Sequence, residues 1–232
     1  MERRLTHPLA KHPIDCLNGR FSECSFSSEN RAYLNSMMLE ASLRLCTPYV
    51  KGQLLDVGCG SRPYQETYFA PAETYVGVDY PTPRSRPDVV SSALGLPFKD
   101  ECFDTVVSTE VLEHVPDPLR ALTEMHRVLR PDGFLILTAP MHWPRHEVPH
   151  DYFRHTYDGL IYLFRQSGFE IVTMFNRGRS YAFLGQVIQH FQPVPFAWFS
   201  RLVNYFFLWC DLHFKNDALT LGWTIVAKRI AA

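Results

Sequence analysis

The segment Met141–His155 reads Met-His-Trp-Pro-Arg-His-Glu-Val-Pro-His-Asp-Tyr-Phe-Arg-His, with four histidines, two acids and two arginines in fifteen residues. Histidine changes charge near neutral pH, so an imidazole here can take a proton from a hydroxyl nucleophile. His150 and His146 are the candidates for that base, with Asp151 available to orient an imidazole. The competing reading is a loop whose His and Arg side chains tie down its own backbone. Histidines and carboxylates also bind zinc and other divalent ions. Pro144 and Pro149 keep the four-residue spacings off a single helical face, and no metal is assigned.

A second constellation lies earlier in the chain. Leu54-Leu55-Asp56-Val57-Gly58-Cys59-Gly60 sets two glycines directly after a short apolar run. Glycine at that point lets the backbone turn tightly and approach a ligand. Asp79 closes the next apolar run, where a carboxylate can accept from both hydroxyls of a ribose. Each feature alone is often a plain connection or a cap; strand, glycines, helix, strand and acid in this order indicate a nucleoside site. A dinucleotide site wants G-x-G-x-x-G, but Pro63 occupies the third glycine position. A sulfonium amino acid needs a carboxylate near its ammonium, which Asp56 can supply directly or through water.

These groups need a scaffold that brings strand ends together. Apolar spacing predicts a helix over residues 28–46, stopped by Pro48. Strands are expected at Gln53–Val57, Thr74–Val78, Asp88–Val90, Phe103–Ser108, Phe134–Thr138, Phe169–Phe175 and Leu221–Lys228. A short helix is expected from Pro63 to about Phe69. Another should start at Asp117-Pro118 and carry a stripe of Leu119, Leu122, Met125 and Leu129. A third should be capped by Thr156 and ended by Gly168. Strands alternating with helices give a mostly parallel α/β sheet, which binds ligands at the carboxyl ends of its strands.

With these elements in place, a resemblance becomes specific. Leu54–Gly60 resembles the first motif of the class I S-adenosylmethionine-dependent methyltransferases, and Tyr75–Tyr80 their second. Ser92–Phe98 is similar to the segment that lies along the adenine, Phe103–His114 to the fourth-strand motif, and Leu129–Phe134 to the turn into the fifth strand. The pattern covers roughly residues 50–175. It implies a Rossmann-like, seven-stranded, mostly parallel sheet with helices on both faces and the last strand antiparallel. It implies S-adenosylmethionine as cofactor, with Gly58 and Gly60 against the methionine part and Asp79 and Tyr80 at the ribose. Ser92 and Ala93 would flank the adenine, and Ser108 to Glu110 would approach the methionine end. Glu113 and His114 would mainly shape the site. Two positions depart from many relatives: Arg62 stands in place of a third glycine, and Ser92 in place of an acid that binds the adenine amino group.

The expected activity is methyl transfer to a small molecule, first of all a hydroxyl of a sugar or lipid-linked saccharide. The rivals are a nicotinamide-dependent oxidoreductase and a non-catalytic cofactor-binding module. A single domain over 1–232 is expected: an N-terminal helical cap (1–47), a cofactor core (48–180), an aromatic helical insertion (181–216) and a final strand (217–232). In the insertion, Pro193, Pro195, Arg201 and Asp211 break up the apolar sequence. No run approaches the ~20 residues of a membrane span. Packing on the domain's own core, a homodimer face, or a peripheral membrane patch would each use its aromatics. A formal net charge of -1 gives no reason to expect nucleic acid. Six scattered cysteines suit a reducing cytoplasm, and Met1–Arg4 lead into no apolar signal region.

Overall fold

The computed structural model describes residues 12–16, 27–28, 30–191 and 197–230. Cys24, Pro193 and Pro195 lie outside the described residues. Seven strands form one sheet: β1 (Gln53–Val57), β2 (Thr74–Asp79), β3 (Val89–Val90), β4 (Phe103–Thr109), β5 (Leu129–Pro140), β6 (Phe169–Arg177) and β7 (Gly222–Arg229). Their order is β3-β2-β1-β4-β5-β7-β6. The pairs from β3 to β5 are parallel, and β7 runs antiparallel to both β5 and β6. Strand order reverses between β1 and β4, so the carboxyl ends of these two strands flank the crevice where such sheets bind ligands.

The central strands are buried on both faces, which is why they read as continuous apolar runs rather than alternating ones. On one face, α3 (Pro118–Val128) and α4 (Tyr157–Gln166) cover Leu55, Val106, Leu135 and Ile225. On the other, α2 (Tyr33–Cys46) covers Leu54, Val107, Ile136 and Val226. Both α3 and α4 start where their caps foretell. Asp117 accepts from the Arg120 amide at 3.0 Å, and Thr156 Oγ1 from the Gly159 amide at 3.2 Å. Gly168 ends α4 with φ +82°.

Several expectations are corrected. No helix follows β1: residues 60–71 form successive turns, with Tyr68 and Phe69 buried in the core. The amides of Thr67, Tyr68 and Phe69 all return to the Tyr64 carbonyl, at 3.3, 2.9 and 3.2 Å, so the chain closes in turns instead of propagating a helical ladder. Leu119 is exposed, and Leu129 belongs to β5 rather than to α3. The buried stripe of α3 is Ala121, Leu122, Met125 and Val128. β5 begins at Leu129, five residues before Phe134, because Leu129 already pairs with Phe103; the register then shifts across the Asp132-Gly133 turn. The third strand keeps only Val89 and Val90.

The aromatic segment forms α5 (Ser180–Phe191) and α6 (Ala197–His213), which pack on each other and on α2 and α1 (Pro13–Cys16). Asp211 does not interrupt α6. It is buried, and its carboxylate accepts from the amides of Arg179, Tyr181 and Ala182 at 2.8, 3.1 and 2.9 Å, capping the start of α5. Among the described residues, no helix is long and apolar enough to cross a membrane. Cys46, Cys59, Cys102 and Cys210 are free thiols.

Candidate functional site

The glycine turn leaves β1 under backbone control. The amides of Gly58 and Cys59 both donate to the Val78 carbonyl, at 2.7 and 3.2 Å, which locks the turn to the end of β2. Gly58 (φ +79°) is overlaid by Val111, whose methyl a Cβ there would strike. Gly60 (φ +51°) has open space above it, with no heavy atom within 4 Å of where a Cβ would stand. Arg62 takes φ 62°, the left-handed backbone that a glycine adopts more readily. Its guanidinium folds outward onto Asp88 (2.7 Å) and over the Tyr75 ring (5.5 Å).

Two carboxylates converge on this turn. Asp79 accepts from the Gly60 amide at 2.9 Å and the Tyr80 amide at 2.7 Å. Its remaining lone pairs can accept from ribose hydroxyls. Asp56 is buried, with one oxygen accepting from the Tyr75 hydroxyl and the other, Oδ1, without a partner among the described residues. Burial foremost, reinforced by the charge of Asp79, raises its pKa to about 7. A buried, half-satisfied carboxylate beside an open glycine backbone fits the ammonium group of S-adenosylmethionine. The Ser108 hydroxyl, buried at the end of β4, also has no partner. Ser92 accepts from the Leu94 amide at 3.1 Å and so shapes its own turn, while Ala93 is packed against the core. Tyr80 is 60% exposed just past the end of β2.

Across the crevice, Glu110 (φ 54°) accepts from the Thr138 hydroxyl at 2.8 Å and pairs with Arg177 at 3.1 Å. Arg177 is fully buried at the end of β6, and its Nε and Nη1 have no partner among the described residues. It reaches Glu110 over Gly222, where any Cβ would collide with the guanidinium. The sequence reading missed Arg177, and also missed Tyr75 as the partner of Asp56. The signal for Tyr75 lies in strand register: Asp56 faces Gly77, and Tyr75 is on the same face two residues earlier.

The histidine-rich loop is held at several points. Tyr152 and Phe153 donate to the Glu113 carbonyl at 2.9 and 3.2 Å, and His155 to the Pro140 carbonyl at 3.0 Å. Asp151 accepts from Arg154 at 2.6 and 2.9 Å and from the His146 amide at 3.0 Å. The Arg154 guanidinium, foremost, holds its pKa well below the usual carboxylate range. The ring of His146 lies 3.7 Å from the same carboxylate, so the imidazole near Asp151 is that of His146. His150 is exposed, its Nδ1 3.1 Å from the Tyr152 hydroxyl and its carbonyl 2.7 Å from His114 Nδ1. Glu113 is fully buried, neither carboxylate oxygen has a hydrogen-bond partner among the described residues, and burial followed by the Glu110 charge raises its pKa well above normal. The loop leans on the aromatic helices through Trp143 against His190 and His142 against Phe183, with ring centroids 4.9 and 4.7 Å apart.

Known proteins share part of this sequence and its fold. Residues 55–137 match a family model described as a methyltransferase domain. Over 103 residues the chain is 36% identical to an uncharacterized methyltransferase of Mycobacterium leprae, covering 39% of this chain and 38% of that protein. It is 39% identical over 107 residues to another from Mycobacterium tuberculosis, covering 39% and 40% of the two chains. The matched region thus spans well under half of these curated relatives. An S-adenosylmethionine-dependent methyltransferase from Mesorhizobium loti has a similar structure, with a TM-score of 0.57 at 18% identity over 84% of this chain and 100% of that one. The [4+2]-cyclase SpnF also shares the fold, with a TM-score of 0.56 at 16% identity over 94% of each chain. The matched segment is thus similar to a methyltransferase domain, the fold is shared with S-adenosylmethionine-dependent methyltransferases, and the cofactor this likeness implies is S-adenosylmethionine.

Proposed function

We propose that this chain transfers a methyl group from S-adenosylmethionine to a hydroxyl of a small molecule, of the sugar or lipid-linked saccharide class, in the cytoplasm. The observation that carries the reading is the cradle itself: open backbone at Gly60, the unpartnered Oδ1 of Asp56, and Asp79 at the end of β2. In this reading Asp56 faces the cofactor's ammonium, Asp79 and Tyr80 the ribose, Ser92 and Ala93 the adenine, and Ser108 and Glu110 the methionine end. The bound cofactor supplies an electrophilic methyl on a sulfonium. The protein's share is alignment and a route for one proton. As the acceptor oxygen bonds to the methyl carbon and the carbon–sulfur bond breaks, the hydroxyl proton passes to an imidazole of the loop.

His150 is the base we assign first, because its ring is solvent-accessible and its Nδ1 is held by the Tyr152 hydroxyl. His146, with Asp151 beside it, is the second candidate. Removing a positioned base typically costs ~10²–10⁴-fold. His150→Ala is therefore expected to lower kcat on the true acceptor by about 100-fold or more, read with methyl-labelled cofactor over an acceptor panel. Turnover within a few-fold of wild type would remove His150 from that role. The nicotinamide reading is disfavoured by the turns after β1, which offer no helix N-terminus to a pyrophosphate. SpnF shows that the fold by itself does not fix the reaction, so turnover is the deciding measurement.

An apolar acceptor also gives a use to the outer face of α6. Trp198, Leu202, Tyr205, Phe206 and Trp209 are exposed there, joined by Phe191 and Phe214. Tryptophan and tyrosine on one side of an amphipathic helix suit the interfacial region of a bilayer. We assign this face to peripheral membrane contact, with a homodimer as the competing occupant.

A further inference from the structure

Glu113 follows β4 and is sealed from solvent, yet neither of its oxygens has a hydrogen-bond partner among the described residues. Such a group is costly to bury unless something else completes it. Its surroundings supply nitrogen. One potential ligand atom from each of Glu113, His114 and His146 can be chosen so that all lie within 4.8 Å of one another. His114 Nε2 lies 3.8 Å from Glu113 Oε1 and 3.7 Å from Glu147 Oε2, beyond hydrogen-bond range of either.

We propose that Glu113, His114 and His146 form a site for one divalent transition-metal ion of the zinc type. A 2-His-1-carboxylate set offers donors that such ions favour. The ring of His114 is prepared for ligation: its Nδ1 sits 2.7 Å from the His150 carbonyl, which can only accept. The proton is therefore on Nδ1, and Nε2 presents its lone pair to the carboxylates. This is the outer-shell contact that orients metal-binding imidazoles. The two imidazoles meet edge to face with centroids 4.6 Å apart, and the His146 backbone is pinned by Asp151 at 3.0 Å. Bonds of ~2.0–2.2 Å place ligands about 3–4 Å apart, so small side-chain rotations close the set.

The neighbouring cations are already compensated. Arg154 comes within 3.4 Å of His146 Nδ1, but Asp151 holds its guanidinium at 2.6 and 2.9 Å. Arg177 is taken by Glu110 at 3.1 Å. Pro144 and Pro149 remain an obstacle to ligands drawn from the loop alone. The site avoids it because two of the three come from the turn after β4. Three protein ligands leave positions open to oxygen donors. If the chain methylates a hydroxyl, as proposed above, the acceptor oxygen is one such donor.

The test is metal binding itself, in the absence of cofactor and acceptor. Chelator-dialysed full-length protein is titrated with Zn²⁺ by calorimetry and with Co²⁺ by visible absorption. The expected result is one saturable equivalent, weakened at least tenfold in His114→Ala, His146→Ala and Glu113→Gln. His213→Ala, at the exposed end of α6, should bind as wild type does. The thermal unfolding midpoint of each metal-free variant reports whether the fold survives; if Glu113→Gln does not fold, the two histidine variants decide. No saturable binding by wild type, or unchanged binding by His114→Ala and His146→Ala, overturns the proposal. A protein that binds zinc but not S-adenosylmethionine would refute the methyl-transfer reading and leave the metal site standing.

Discussion

Asp56 links the cofactor cradle to pH. Its carboxyl is raised to about 7 by burial, from an unfolded value of ~3.9. Between these values the folded state binds the extra proton. The stabilisation is therefore full below about pH 4 and is lost as pH rises towards 7. Asp56→Asn should flatten the thermal midpoint against pH over that window. A cofactor ammonium beside Asp56 would draw its pKa back down, so binding at pH 6–7 should release a proton. Calorimetry in two buffers of different ionisation enthalpy checks this; proton-neutral binding would remove Asp56 from the ammonium. Asp56, Asp79 and the glycines were legible because each sits at a fixed step along one strand–turn–strand run. Arg62 was less so, since its φ of 62° depends on the Asp88 and Tyr75 contacts that hold the side chain outward.

At the scale of elements, strands and capped helices were readable from apolar runs and from Asp117 and Thr156. What escaped was set across strands or between helices. Arg177 reaches Glu110 only because Gly222 on β7 leaves a passage, a fact of register that linear spacing does not carry. Gly222→Ala should displace the guanidinium, leave Arg177 buried without its carboxylate partner, and destabilise the fold by ~3 kcal/mol or more. Chemical denaturation measures this, and an unchanged midpoint would show that the ion pair adjusts freely. Asp211 is a similar case: in sequence it reads as a polar interruption of α6, whereas in space it caps α5. Asp211→Ala strips three amides of their acceptor and is expected to cost ~2 kcal/mol or more, with α5 exchanging amide hydrogens first. The helix expected after β1 failed for a local reason: the amides of residues 67–69 converge on one carbonyl, that of Tyr64, and no ladder is propagated.

The whole molecule places the cradle on one side of the β1–β4 switch point and the histidine loop on the other, braced by α5. Its outer aromatic face on α6 would bind vesicles carrying anionic lipid, and Trp209→Ser with Phe206→Ser should abolish sedimentation with them while leaving cofactor affinity intact. Vesicle-independent behaviour together with a dimer that these substitutions dissociate would assign the face to a second copy instead. The central claim is narrower and can be tested first. Titrating the protein with S-adenosylmethionine and with its demethylated product should show one site for each, weakened at least tenfold by Asp79→Ala. No heat with either compound, or saturable binding of NAD(H) in their place, would contradict it.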